Sequence, residues 1–184
     1  MKREYLSIVA GLFLLSGVLQ AAEVQAVQKK PTFEKVWQET YGGNDTDRAM
    51  AVVALEGGDV AVAGTCKSFD SQQSDICVTR LDAKGKTIWR KMLGGKNMDM
   101  ASGISRAKDG SILVTGTSRS FSKSRDRDIY VAKISLEGKG IWQTTFGKER
   151  AEYGRAIAGT DDGLSLIHIS EPTRLLSISY AVFC

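Results

Sequence analysis

Histidine is almost absent from this sequence: the 184 residues contain one, His168, along with two prolines and three cysteines. Ser-His-Asp and Cys-His catalytic arrangements need an imidazole as base. With the lone histidine near the C-terminus, neither can be assembled from the body of the chain. Two central cysteines without histidine do not complete the four ligands of a zinc site. No basic stripe is present, since the +4 net charge comes from 25 basic and 21 acidic residues scattered along the chain. That mild bias gives no nucleic-acid groove, and no nucleic-acid partner is expected. Beyond the first twenty residues no apolar run is long enough to cross a bilayer, and no stretch carries helical periodicity. What remains is ordinary globular composition, 42% hydrophobic and 25% charged, at a length that fits one domain.

The two ends read differently from the middle. Lys2 and Arg3 precede an uncharged apolar run from Tyr5 to Leu19, and small residues follow at Ala21, Ala22 and Ala26. This is the pattern of a secretory signal peptide over residues 1–22, with cleavage between 21 and 26 and a linker over 23–35. The apolar run is shorter than the roughly 20 residues of a membrane span, so the mature chain is expected to be secreted or periplasmic, without a transmembrane segment. No cysteine follows the run, which argues against a lipid anchor. At the other end, LSLIHISEPTR (Leu164 to Arg174) and ISYAVFC (Ile178 to Cys184) resemble the translations of two sequencing-library adapter blocks. Leu175, Leu176 and Ser177 fill the place of an index between them. Residues 164–184 are therefore expected to be adapter-derived, which removes His168, Pro172 and the third cysteine from the reading.

Between the ends runs a repeat. Trp37, Trp89 and Trp142 open the phrases WQETYGG, WRKMLGG and WQTTFGK. An acid follows each at the same distance (Asp47, Asp99, Glu152), and then a turn glycine (Gly58, Gly110, Gly163). GDVAVAGTCKS matches GSILVTGTSRS with Gly64 and Gly116 in register, and DICVTRLDAKGKTIW matches DIYVAKISLEGKGIW. Each unit holds four short runs with strand character; in the first they are Ala49–Leu55, Val60–Cys66, Ile76–Leu81 and Thr87–Met92. Gly57-Gly58 and Lys84-Gly85 supply tight turns. The runs Val60–Ala63 and Ile112–Val114 are apolar on both faces, as in a strand sandwiched between sheets. Four antiparallel strands repeated at this period predict an all-β fold. The architecture expected is an incomplete β-propeller, with two full four-stranded blades and the start of a third over residues 36–163. The tryptophans are expected to pack between blades.

The phrases GGNDTDRAMAVVALEGGDVAVAGTCKS and GGKNMDMASGISRAKDGSILVTGTSRS resemble the bacterial β-propeller repeat family of the SBBP type. The resemblance covers about Trp37 to Gly163. Two departures, Lys148 after Gly147 and no Asp before Gly57-Gly58, touch single turns. The resemblance implies a secreted or envelope propeller and carries no shared catalytic residues.

Several motifs invite a chemical reading. Asp45/Asp47 and Asp126/Asp128 are carboxylate pairs that suit calcium, but the twelve-residue loop and its terminal Glu are missing. They are read as turn and edge polarity, and no metal is expected. Gly42-Gly43 and Gly94-Gly95 lack the helix behind a phosphate cradle, so they are read as turns. LDAKGKTIW is similar to a turn of quinone-cofactor propellers, yet the period and the Gly-Gly phrase fit worse, and no cofactor is expected. Lys123 to Arg127 is a mixed-charge loop tip. The longest loops, Ser68 to Ser74 and Ser118 to Arg127, are the expected contact surface for a protein or glycan ligand. A non-enzymatic binding or scaffold module is the preferred function. The other reading is a fragment of a propeller enzyme (hydrolase, lyase or quinone-dependent) whose catalytic residues come from blades outside this sequence. Cys66 ends the second strand and Cys77 lies near the start of the third, so the hairpin brings them together and an oxidising compartment allows a disulfide. The second repeat has Ser118 and Tyr130 at those places. After Gly163 a valine-rich strand ending Gly-Thr is expected. LSLIHISEPT stands there instead, apolar enough over Leu164–Ile169 to pair as a strand.

Overall fold

A computed structural model of the chain describes residues 34–69, 73–122, 126–148, 150–160 and, as backbone alone, 165–170. The signal-peptide region with Ala21, Ala22 and Ala26, and residues 171–184 of the expected adapter, lie outside these. Of the two units into which the chain divides, all the described strands lie in the second, residues 35–184. Ten strands follow in order: β1 Asp47–Ala54, β2 Val60–Cys66, β3 Asp75–Leu81, β4 Thr87–Leu93, β5 Asp99–Arg106, β6 Ile112–Ser118, β7 Asp128–Ile134, β8 Gly140–Phe146, β9 Tyr153–Gly159 and β10 Ser165–Ser170. They form two four-stranded antiparallel sheets, β1-β2-β3-β4 and β5-β6-β7-β8, and a two-stranded one, β9-β10. The fold is all-β; among the described residues there is one helical turn, a 3-10 turn at Glu56–Gly58.

Glycine punctuation sets the hairpins. Gly85 and Gly138 stand at φ 84° and 82° in the turns before β4 and β8, a left-handed backbone region that glycine alone enters without cost. The first strand opens two residues earlier than its expected run and the third one earlier, while β2 and β4 start where expected. Asp47 pairs with Cys66 and Asp99 with Ser118 at the first rung of each sheet, so an acid that reads as a turn residue is already in the ladder.

Each first strand carries a bulge at the same place. Register slips between Ala49 and Ala51 in β1 and between Ala101 and Gly103 in β5, and β9 slips opposite His168/Ile169. A bulge adds local right-handed twist, so the three sheets share one twist device. Beside it, Gly64 and Gly116 lie under backbone carbonyls: a Cβ on Gly64 would stand 2.6 Å from the Arg48 oxygen, and one on Gly116 would strike the Met100 oxygen. In β10 the same register position, opposite Gly154, is held by Ile169.

The sheets stack in order. The inward side chains of the first sheet (Ala61, Ala63, Ile76, Val78) pack on Ile112, Val114, Tyr130, Ala132 and Ile134 of the second. The opposite face of the second sheet (Leu113, Ile129, Val131) packs with Ala107 and with Ile157 of β9. The first strands neighbour one another, β5 lying against β1 and β9 against β5. Successive sheets therefore repeat one face-to-face contact.

Candidate functional site

Antiparallel pairing puts the starts of β1 and β3 and the ends of β2 and β4 at one end of the first sheet, and the second sheet matches it. The two longest loops, Ser68 to Ser74 and Ser118 to Arg127, and the Gly-Gly links between sheets all sit at this end. Of the two loops, residues 70–72 and 123–125 lie outside the described residues.

A repeated hydrogen-bond pattern shapes this end. The Asp47 carboxylate accepts from the amides of Gly43 (2.9 Å), Lys67 (2.9 Å) and Ser68 (3.2 Å). Asp99, 1% exposed, accepts from the Gly95 and Ser120 amides at 2.9 and 3.3 Å and from Ser120 Oγ at 2.6 Å. Glu152 takes the amide of Lys148 at 3.1 Å. Serine closes the pattern from the other side, with the Asp45 amide donating to Ser68 Oγ and the Asn97 amide to Ser120 Oγ. Burial pushes the Asp47 carboxyl upward, but Ser68 and the three amides outweigh it and hold the pKa below the usual carboxylate range. The acid after each Gly-Gly phrase is thus a loop clasp. Ser68 and Ser120 lie in the two expected contact loops, and their part in the clasp is what the sequence reading missed, although the shared serine after each Gly-Thr was the available signal.

Other acids of the two carboxylate pairs are engaged in the same way. Asp45 is held low by the Thr46 amide and by Lys67, whose ammonium lies 3.2 Å away. Asp128 accepts from Ser122 Oγ at 3.0 Å. Among the described residues no group of three or more His, Cys, Asp or Glu side chains is placed to hold a metal ion.

Aromatic and cationic side chains flank the loops. The Arg90 guanidinium lies 3.8 Å above the Phe69 ring centre. Phe121 stacks on Tyr130 at 5.9 Å, and Tyr130 Oη donates to Gln143 at 2.9 Å. Burial, and then the Asp99 charge, raise the Tyr130 phenol well above its ordinary range. Arg127 donates to Tyr153 Oη at 2.8 Å and lies over the same ring. The loops also tie each sheet to the next, through Asp99 N to Ser74 O (2.7 Å) and Glu152 N to Arg127 O (2.8 Å).

The tryptophans act toward the opposite end. Trp89, on β4, lies against Gly138 in the turn of the second sheet, and its Nε1 donates to Leu136 O at 2.7 Å. Arg80 Nη1 donates to the same carbonyl at 2.8 Å while its guanidinium pairs with Asp59 at 2.7 Å. Trp37 lies likewise against Gly85, whose carbonyl accepts from Tyr41 Oη. Trp142 packs with the cluster that joins the second sheet to β9. Cys66 and Cys77 are joined in a disulfide with Cα atoms 5.8 Å apart.

Among the described residues one sheet face is left open. On the outer side of the first sheet, Val52, Val60, Val62, Thr79 and Leu81 floor an apolar hollow of about 460 Å³ rimmed by Trp37 and Tyr41. Val52 is 65% exposed.

No known protein-family profile matches the chain. Over 125 residues it is 26% identical to the regulatory protein FlaEY of Caulobacter vibrioides, an alignment that takes in 57% of this chain and 13% of that protein. The chain thus spans a small part of that relative's length, and what it is similar to is one segment of a much longer polypeptide.

Proposed function

We propose that this chain is part of an exported β-propeller of the SBBP type, acting as a non-enzymatic binding or scaffold module in the cell envelope or outside the cell. The observation that carries the reading is the division of labour at the loop end. The residues that recur from repeat to repeat, Asp47 with Ser68 and Asp99 with Ser120, are spent on clasping the backbone. The residues that differ lie within the loops Ser68 to Ser74 and Ser118 to Arg127, whose described ends stand at matching places on a fixed frame. Variable loops on a rigid repeated scaffold are how such folds recognise partners. The propeller reading is supported by side-by-side first strands and by a sheet contact that recurs without change of sense. Ile169 in the register of Gly64 and Gly116 fits the expectation that residues 164–184 are adapter-derived. The name of the relative, a regulatory protein, agrees with a role in interaction rather than turnover.

The test is to replace residues 70–72 and 123–125 with Gly-Ser segments, leaving Ser68, Ser120 and Phe121 in place, and to compare this protein with the wild type on glycan and envelope-protein arrays. The wild-type chain binds a defined ligand class, and the replacement loses it with melting unchanged. Ligand binding that survives replacement of both loops overturns the reading.

A further inference from the structure

Resting on the reading of the loop end as the contact surface, we infer that this end of the second sheet binds an acidic polysaccharide through a row of cations, Lys96, Arg119, Arg127 and Lys148. These residues are scattered in the sequence, and the fold gathers them. The Arg119 amide donates to Met98 O at 3.1 Å, two residues from Lys96. Ser118 and Asp128 form the last rung between β6 and β7, so Arg119 and Arg127 stand side by side just beyond it. Arg127 O accepts from the Glu152 amide, and the Glu152 carboxylate takes the amide of Lys148. Lys96, Arg119 and Lys148 are exposed and Arg127 is half-buried. Among the described residues none of these side chains is paired with a carboxylate; the Arg127 guanidinium lies over the Tyr153 ring and donates to its hydroxyl. The acids nearby face elsewhere. Asp99, Asp128 and Glu152 are buried, and the Asp126 carboxylate accepts from the Arg127 amide at 2.9 Å.

The first repeat shows what has changed. Its Lys67 stands where Arg119 stands and is neutralised by Asp45, 3.2 Å away. In the second repeat Asn97 takes the place of Asp45 and donates its amide to Ser120 as Asp45 does to Ser68. The backbone clasp is kept and the carboxylate is gone. Lys96 replaces Asn44 as well, and in the third link Arg150 stands where Asp45 does, with Glu149 beside it outside the described residues. Guanidinium forks match carboxylate oxygens, and several cations in one row suit an anion that repeats along a polymer. A folded protein partner needs apolar anchors; among the described residues Met100 is the one exposed large apolar side chain at this end of the second sheet. Single-stranded nucleic acid needs open rings for its bases, whereas Phe121 is stacked on Tyr130 and Tyr153 lies under Arg127. Further sheets stacked on either face leave the strand ends uncovered, so the row stays open in a longer propeller.

The test is titration calorimetry of the exported chain with polygalacturonate, in a buffer holding a chelator so that no divalent ion bridges the two. Neutral dextran and duplex DNA are the comparisons. Polygalacturonate is expected to bind and dextran not, with affinity falling about 10-fold from low to physiological salt as the exposed charges are screened. Lys96→Asn combined with Arg119→Ser removes half of the row and weakens binding about 10-fold. Asn97→Asp returns the carboxylate of the first repeat and weakens it about 3-fold. Lys67→Gln combined with Asp45→Asn removes a balanced pair and leaves the affinity unchanged. Thermal melts establish that each variant is folded. The inference is overturned by a chain that binds no polygalacturonate, binds dextran equally well or prefers DNA. It is overturned too if the loss of Lys96 and Arg119 leaves the affinity in place. The binding-module reading is judged apart from this: an array ligand that is lost with the loop segments and kept without Lys96 and Arg119 leaves that reading standing.

Discussion

The first and second sheets are built from one phrase and live in different surroundings. They share strand register, bulge position, loop clasp and turn glycine. Yet β2 alternates between half-buried and buried residues, while every residue of β6 is buried. The strands Val60–Cys66 and Ile112–Ser118 are nearly the same in pattern, so the difference lies in position along the stack: among the described residues the second sheet has neighbours on both faces and the first on one. The side chains answer to this. Where the second sheet buries Tyr130 against Phe121, the first carries Cys77 bonded to Cys66. A covalent link between strands holds the sheet that has the weaker packing, whereas aromatic burial holds the other.

Breaking that link is the strongest test of the contrast. Replacing both Cys66 and Cys77 with serine is expected to cost about 3 kcal/mol, by releasing a short loop in the unfolded chain. The loss is read as a lower denaturation midpoint and is reproduced on wild type by reductant. If reduction leaves the midpoint in place, the disulfide does not compensate for the open face. Next come the glycines under the bulge. Gly116→Ala is expected to cost about 2 kcal/mol and Gly64→Ala less, because overpacking is felt most where neither side yields. Urea titration of the pair measures the difference, and equal losses would mean that the second neighbour does not stiffen the second sheet.

Smaller effects sharpen the comparison at the junction. Trp89→Phe keeps a ring on Gly138 and loses the donor to Leu136 O, a change of about 1 kcal/mol. Trp37→Phe is expected to change stability less, since its sheet lacks a covering partner. Thermal melts of the two variants rank them. Smallest is the acid limb of the pH profile. Lys133, 2.8 Å from Asp109, and then Ser111 hold the Asp109 carboxyl down to about 2. An unfolded aspartate titrates near pH 4, so the pair's contribution is full above about pH 4 and is lost as pH falls toward 2. Asp109 is largely exposed, so the amount is under about 1 kcal/mol. Asp109→Asn should therefore be less stable than wild type at pH 5 and equal to it below pH 2.

Much of this architecture could be read from the sequence because glycine, acid and tryptophan punctuate the chain at fixed intervals. Hairpin glycines such as Gly85 and the apolar runs of β2 and β6 fix strands and turns locally. Two kinds of feature were not legible. Asp47 and Asp99 look like turn residues, and only the ladder shows that they begin strands while their side chains reach back to clasp a loop. The junction carbonyl of Leu136, which receives both Arg80 and Trp89, is a backbone atom and leaves no mark in the residue alphabet. The loop tips are legible as loops alone, since their composition does not name a ligand.

The complete enclosure of β6 also has a consequence in time. Amide hydrogens exchange with solvent through local openings, and these are rarest where a strand is covered on both faces and paired on both edges. β6 meets all four conditions, while β2 meets three and β4 and β8 stand at sheet edges. Protection should thus decline outward from Ile112–Ser118 in both directions along the stack. The described sheets open from the ends of the stack, and β6, with β7 beside it, is the last to exchange.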